Sequence, residues 1–222
     1  MTSSHFKDRY DAGKRLAIAL SRFRDTDPIV LGLPRGGVPV ASEVARFLNA
    51  RLDVLVVRKL GAPFQKELAL GAIGEQDALF IDAVLVNSLG VPPEELQRII
   101  VDERAELDRR ILLYRSGRPM CPLVGRTVIV IDDGIATGSS ARAALQVVRS
   151  HHPQHTVLAA PVGAPDSVGA LHSEADEIVV LEQPRVFGAV GAWYDDFDQT
   201  SHDEVTRLLS RSSMEFFEEV QH

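Results

Sequence analysis

One cysteine in 222 residues, Cys121, leaves the chain without any internal disulfide, as expected in a reducing compartment. Long apolar runs are also missing. The first residues, Met1-Thr2-Ser3-Ser4-His5-Phe6-Lys7-Asp8-Arg9, contain no apolar signal core, and nothing later approaches a membrane span. The expected location is therefore cytoplasmic. Basic residues are in deficit, 24 against 31 acidic, for a formal charge of −7. That balance disfavours binding to nucleic acid or anionic membrane by bulk electrostatics. What remains is ordinary globular usage, 45% hydrophobic and 25% charged. A chain of this length buries about 70% of the surface it exposes unfolded and needs no metal to fold.

Apolar runs alternate with helical patterns, the mark of a mostly parallel α/β sheet. Residues 11–23 place Leu16, Ala19, Leu20 and Phe23 on one helical face. Residues 29–33 are a short run suited to a strand buried on both faces. A glycine turn and a second stripe follow, Val38, Ala41, Val44, Ala45 and Leu48. Residues 54–57 read as another buried strand, 58–77 as a long mobile excursion with room for short strands, and 79–86 as a further strand. Pro92-Pro93-Glu94-Glu95 opens a helix reaching about residue 114, with proline and acids where a helix start favours them. Strands are expected at 127–131, 156–161 and 177–181, and helices at 139–150 and 202–220. No internal repeat or linker divides the chain, so one domain over residues 1–222 is expected.

The segment richest in chemistry is Val128-Ile129-Val130-Ile131-Asp132-Asp133-Gly134-Ile135-Ala136-Thr137-Gly138-Ser139-Ser140. A buried strand ends in two carboxylates and turns through glycines into a helix. In open α/β sheets, ligands bind beyond the carboxyl ends of strands. Amides from Thr137 to Ser140 at a helix start can surround a phosphate. The Walker lysine and spacing are absent, which argues against ordinary ATP hydrolysis. Two acids beside a phosphate cradle suit a hydroxyl-rich ligand, a divalent metal, or both. The plain alternative is a capped turn with solvated acids.

At these residues the sequence resembles the type I phosphoribosyltransferases, and the resemblance covers about residues 6–199. It implies that Asp132 and Asp133 hold the ribose hydroxyls of 5-phosphoribosyl 1-pyrophosphate (PRPP), and that Gly134, Ile135, Ala136, Thr137, Gly138, Ser139 and Ser140 form the 5′-phosphate loop. It also implies Mg²⁺ bound chiefly through the substrate, with Asp132 and Asp133 reaching it through water. Leu33-Pro34-Arg35-Gly36-Gly37 sits where the family carries its pyrophosphate loop, often with a cis peptide. Arg35, Gly36 and Gly37 would then face the leaving group. Arg58 and Lys59 precede the stretch corresponding to the flexible catalytic loop, with Lys59 the first candidate for pyrophosphate contact. Lys66 is the weaker one, since a solvated lysine is its bland role. Purine-using members carry an aspartate where this chain has Ala136, so another residue handles the base proton or the acceptor needs no such help.

The expected hood covers about residues 182–200. Within it, Phe187-Gly188-Ala189-Val190-Gly191-Ala192-Trp193-Tyr194-Asp195 partly resembles the 6-oxopurine enzymes. Phe187 or Trp193 could stack on a base, or pack in the core. Asp195 could reach the base edge or the metal. Cys121 reads as a packed thiol. Glu215-Phe216-Phe217-Glu218 reads as helix docking, with a homodimer interface as the alternative. The expectation is a five-stranded, mostly parallel sheet with helices on both faces, carrying a transferase that moves 5-phosphoribose from PRPP to a nucleobase-like nitrogen acceptor, purine first. Its rivals are a PRPP- or nucleotide-sensing regulator and an ATP-using diphosphokinase on the same fold.

Overall fold

β-branched and leucine-rich runs form the strands at the centre of the molecule. The computed structural model describes residues 5–115 and 117–219, with the side chains of 66, 67 and 213–219 outside the description. Five parallel strands are ordered β2-β1-β6-β7-β8. They are β1 (Ile29–Gly32), β2 (Arg51–Val54), β6 (Thr127–Ile131), β7 (His155–Val162) and β8 (Glu177–Glu182). Every residue of β1 is buried, so the sheet needs cover on both faces. Alternation along the strands divides that cover. Val30, Ile129, Ile131, Val157 and Ala159 meet α1 (Arg9–Ala19), α2 (Gly37–Leu48) and α7 (His202–Glu219). Ile29, Leu31, Val128, Val130 and Leu158 meet α5 (Ser139–Ser150) on the other face. Asp8 caps α1 by accepting the Asp11 amide at 2.8 Å. A short α6 (Pro165–Gly169) joins β7 to β8. Among the described residues, no helix is long and apolar enough to cross a membrane.

The middle of the chain departs from the sequence expectation at three places. Val54 ends β2 and Val57 opens β3 (Val57–Ala62), so the apolar run 54–57 is the passage between two sheets. Its hydrophobicity reflects the burial of Leu55 and Val56 at the crossing. Residues 58–77, expected as an excursion with room for short strands, are mostly strand. They form β3 and β4 (Gln65–Gly74), which with β5 (Leu79–Ile81) make an antiparallel sheet ordered β3-β4-β5. Leu60, Ala62, Leu70, Ala72 and Ile73 are buried, and this packing orders the hairpin despite its glycines and charges. The strand expected at 79–86 stops at Ile81, because Asp82 accepts the Leu85 amide at 2.9 Å and starts α3 (Ala83–Ser88). The long α4 (Pro93–Arg115) follows as expected.

Arg115, at the end of α4, fastens the small sheet to the large one. Its side chain is only 5% exposed. It donates to the Asp53 carboxylate of β2 and the Val54 carbonyl, each at 2.8 Å. It also makes two hydrogen bonds to Glu75, just past β4. Asp53 accepts the Cys121 amide at 2.9 Å with its second oxygen. Burial, followed by the nearby Asp53 charge, pushes the Cys121 thiol up to about 12.

Two outcomes follow from this cluster. Arg115→Met leaves Asp53 and Glu75 buried without their cation, and urea unfolding should record a loss of about 3–5 kcal/mol. Cys121, 2% exposed, should resist a thiol-reactive dye in the native protein at pH 8 and titrate at one equivalent in denaturant.

Candidate functional site

Two loops rise side by side at the carboxyl edge of the parallel sheet, because β1 and β6 are neighbours with Gly32 opposite Ile131. The loop after β6 begins with Asp132, whose amide donates to the Ala159 carbonyl of β7 at 3.3 Å. Asp132 Oδ1 then accepts the Asp133 amide at 2.9 Å. Two further bonds, Ile135 N–H to the Val162 carbonyl and Ala164 N–H to the Ile135 carbonyl, hold the turn against the end of β7. Ser167 Oγ donates to the Ala136 carbonyl at 2.6 Å. Gly138, at φ +74°, supplies the left-handed residue that admits the chain into α5. Thr137 and Ser139 hydroxyls lie 3.0 Å apart at that helix start. The result is a cavity of about 110 Å³ lined by Asp132, residues 134–140 and Ala141. Amides and hydroxyls at the start of a twelve-residue helix suit an anion.

The loop after β1 is tied to the same place. The Leu33 amide donates to the Ile131 carbonyl at 2.8 Å, and the Pro34–Arg35 peptide is cis. Glycine is obligatory at its end. A Cβ on Gly37 would lie 2.5 Å from the Ile131 carbonyl oxygen, and one on Gly36 would lie 1.9 Å from Asp133 Oδ2. The two loops thus meet backbone to backbone at Gly37, and at Gly36 the Asp133 carboxylate fills the gap between them.

The acids have unequal surroundings. Asp133 Oδ2 accepts Arg9 Nε at 2.8 Å, with 15% of the aspartate side chain and 11% of the arginine exposed. Burial, then the neighbouring Asp133 charge, holds the Asp132 carboxyl well above the usual range. Burial also raises Asp133, with Arg9 pulling against it. Tyr194 Oη donates to the Asp133 carbonyl at 2.6 Å.

The remaining candidates divide between the segment after β8 and the β3-β4 hairpin. Phe187 and Trp193 pack beside Phe6, Ala12, Val162 and Tyr194, and Trp193 Nε1 donates to the Phe187 carbonyl at 3.1 Å. Val190 of a 3-10 turn (Val190–Trp193) covers Gly134. Asp195 is exposed, with its amide bonded to the Phe6 carbonyl. Arg58 and Lys59 lie on β3, where Arg58 is ion-paired to Glu103 of α4 at 2.6 Å. Lys66 lies on β4 with its side chain outside the description. Arg9 was not legible beforehand. It stands 124 positions from Asp133, on the first helix, with no spacing to mark it. Tyr194 lay inside the aromatic run that sequence reading singled out.

Because folding raises the Asp132 carboxyl, the native chain holds that proton more tightly than the unfolded one. The group favours folding at low pH and opposes it once pH passes the raised value. Asp132→Asn keeps the oxygen that accepts the Asp133 amide and removes the charge. It should raise Tm by about 2–4 °C at pH 7.5 in metal-free buffer, by calorimetry, with no gain at pH 4.

Comparison with known proteins agrees with this architecture. A crystal structure of TT1426 from Thermus thermophilus is 43% identical, with a TM-score of 0.87, covering 93% of this chain and 98% of that one. Two Mycobacterium tuberculosis proteins, from strains CDC 1551 and H37Rv, are each 48% identical over 213 residues. The second is named "Putative phosphoribosyl transferase Rv0571c". The alignment takes in 96% of this chain and 48% of each relative, so the chain spans about half the length of these curated relatives. The phosphoribosyl transferase domain matches residues 4–196. With most of its length inside that match, the chain belongs to the phosphoribosyl transferase domain family.

Proposed function

We propose that this chain transfers 5-phosphoribose from PRPP to a nitrogen acceptor and releases pyrophosphate. The observation that carries this reading is the pairing of the two loops. The acid-ended strand with its phosphate-sized cavity stands directly against the Pro34-Arg35-Gly36-Gly37 turn. The 5′-phosphate would enter the cavity and meet the amides and hydroxyls of Thr137, Ser139 and Ser140. Ribose would lie over Asp132, and pyrophosphate over Gly36 and Gly37 with Arg35 beside it. Lys59 on the hairpin would add positive charge as the leaving group departs. Charge stabilisation and alignment suffice for such a displacement, and no covalent nucleophile is required.

The donor set fits a Mg²⁺ carried by substrate. Among the described residues, no three metal-capable side chains cluster, whereas Asp132 and Asp133 offer two adjacent carboxylates. Mg²⁺ keeps much of its water and takes substrate phosphates readily. When bound, it would neutralise charge on the leaving pyrophosphate, with Asp132 and Asp133 holding it through water.

For the acceptor, a purine is favoured by the partial hood resemblance, with Phe187 or Trp193 toward the ring and Asp195 toward its edge. Ala136 offers no side chain for the base proton, and Ser167 occupies its carbonyl. The acceptor's proton is therefore left to another group, or to solvent. A PRPP-sensing regulator would keep the cavity and lose turnover. A diphosphokinase would need ATP to bind.

The decisive assay is pyrophosphate release from PRPP and Mg²⁺ across purines, pyrimidines and other nitrogen acceptors. Release that depends on one acceptor is the expected result. Asp132→Asn/Asp133→Asn should fold and lose at least about 100-fold in PRPP affinity by calorimetry. Unchanged affinity in that variant would sink the reading.

A further inference from the structure

We propose that Ser167 is a positioning residue for the turn after β6, holding the Ala136–Thr137 peptide so that the Thr137 amide faces the cavity. The proposal rests on the PRPP reading above and deepens it, by assigning a residue outside the cavity to its 5′-phosphate end. The cavity is lined by Asp132 and residues 134–141, so Ser167 stands behind the turn.

The turn is bound from that side at two adjacent residues. The Ile135 amide donates to the Val162 carbonyl at 2.9 Å, and the Ile135 carbonyl accepts the Ala164 amide at 2.8 Å. The next carbonyl, that of Ala136, accepts Ser167 Oγ at 2.6 Å. The first two bonds are made by backbone and need no particular side chain. The third exists only with a hydroxyl at position 167. Ser167 is itself held firmly by α6. Val168 and Leu171 are 2% and 1% exposed and share a buried cluster with Ile135. Arg142 of α5 donates to the Ala170 carbonyl at 2.9 Å. Leu171 also backs the turn at Gly138, where a Cβ would come within 3.3 Å of its Cδ1.

Direction is what the hydroxyl controls. A trans peptide points its carbonyl and its amide hydrogen in opposite directions. Among the described residues the only cis peptide is Pro34–Arg35, so Ala136–Thr137 obeys this rule. With the Ala136 carbonyl turned back to Ser167, the Thr137 N–H is turned forward, to the side where the cavity lies. Among the described residues, that N–H donates to no other group of the protein. Gly134 and Gly138 flank the peptide and leave the backbone free to rotate it. A rotated peptide would aim a carbonyl oxygen at the incoming phosphate and repel it. Apparent affinity scales with the fraction of molecules already in the binding-competent form. The Ser167 bond raises that fraction before any ligand arrives.

The test uses the full chain as wild type, Ser167→Ala and Ser167→Thr. Calorimetry reads the affinities for Mg²⁺·PRPP, ribose 5-phosphate and Mg²⁺·pyrophosphate. Amide NMR follows Thr137 during titration with inorganic phosphate. Ser167→Ala should weaken PRPP and ribose 5-phosphate by about 10-fold each and leave pyrophosphate within about twofold. A general loosening of the fold would weaken all three, because pyrophosphate is assigned to the other loop. Ser167→Thr keeps the hydroxyl and should recover most of the loss. The Thr137 resonance should already be displaced in ligand-free Ser167→Ala, and its response should need about 10-fold more phosphate. Wild-type affinity for PRPP and ribose 5-phosphate in Ser167→Ala would overturn the proposal, as would an equal loss for pyrophosphate. Should the wild-type chain bind no PRPP, the functional reading falls and inorganic phosphate decides the positioning role alone. A Thr137 response weakened in Ser167→Ala would then uphold it, and equal responses, or none in the wild type, would overturn it.

Discussion

Two adjacent carboxylates at the end of a strand buried on both faces are the constraint around which this site is arranged. β6 has no freedom to move them, because β1 and β7 pair with it on either side. The charges must therefore be met where they emerge. Arg9 meets one of them. The other lines the cavity at the start of α5, where burial opposes its ionisation. The glycines follow from the same geometry. With Asp133 held where it is, the neighbouring turn has room only for backbone at Gly36 and Gly37.

The parallel sheet was legible because its strands are continuous apolar runs, and 127–131 in particular admits no other reading. The turn after β6 was legible as a unit because its residues are contiguous, and residues 132–140 line one cavity or border it in the fold. The hairpin was harder. Glycines and charges at 58–77 look like loop composition, and only tertiary burial of Leu60, Leu70 and Ile73 makes them strands. The run 79–86 misled for a local reason, since Asp82 caps a helix and cuts an otherwise strand-like pattern. Arg9 could not be read at all. Its partner is distant in the chain, and a lone arginine near a helix start is usually a solvated one.

The small antiparallel sheet packs against α4 and against α5. The family resemblance calls for a flexible loop in this region, and the chain supplies a hairpin with a tip at residues 62–65. Arg58 is committed to Glu103, and the strand alternation turns Lys59 to the opposite face. Of the two basic residues, Lys59 is thus the one that α4 does not claim through this ion pair. The ladder also shifts register on both sides of Gly61, which bends β3 just beyond that lysine.

The Arg115 cluster fixes this hairpin at one end. Asp53, Glu75 and Arg115 clamp its root, where β3 opens and β4 closes. Lys59 lies two residues from the root, about 7 Å along the strand, while the tip at Pro63 and Phe64 lies about 20 Å out. Burial continues beyond the root, since Leu60 and Ala62 are fully buried, so the exposed part of the hairpin begins at Pro63 and Phe64, the latter 67% exposed. Lys59 therefore stands between two anchors on one strand, the ion-pair cluster on one side and the buried Leu60 and Ala62 on the other.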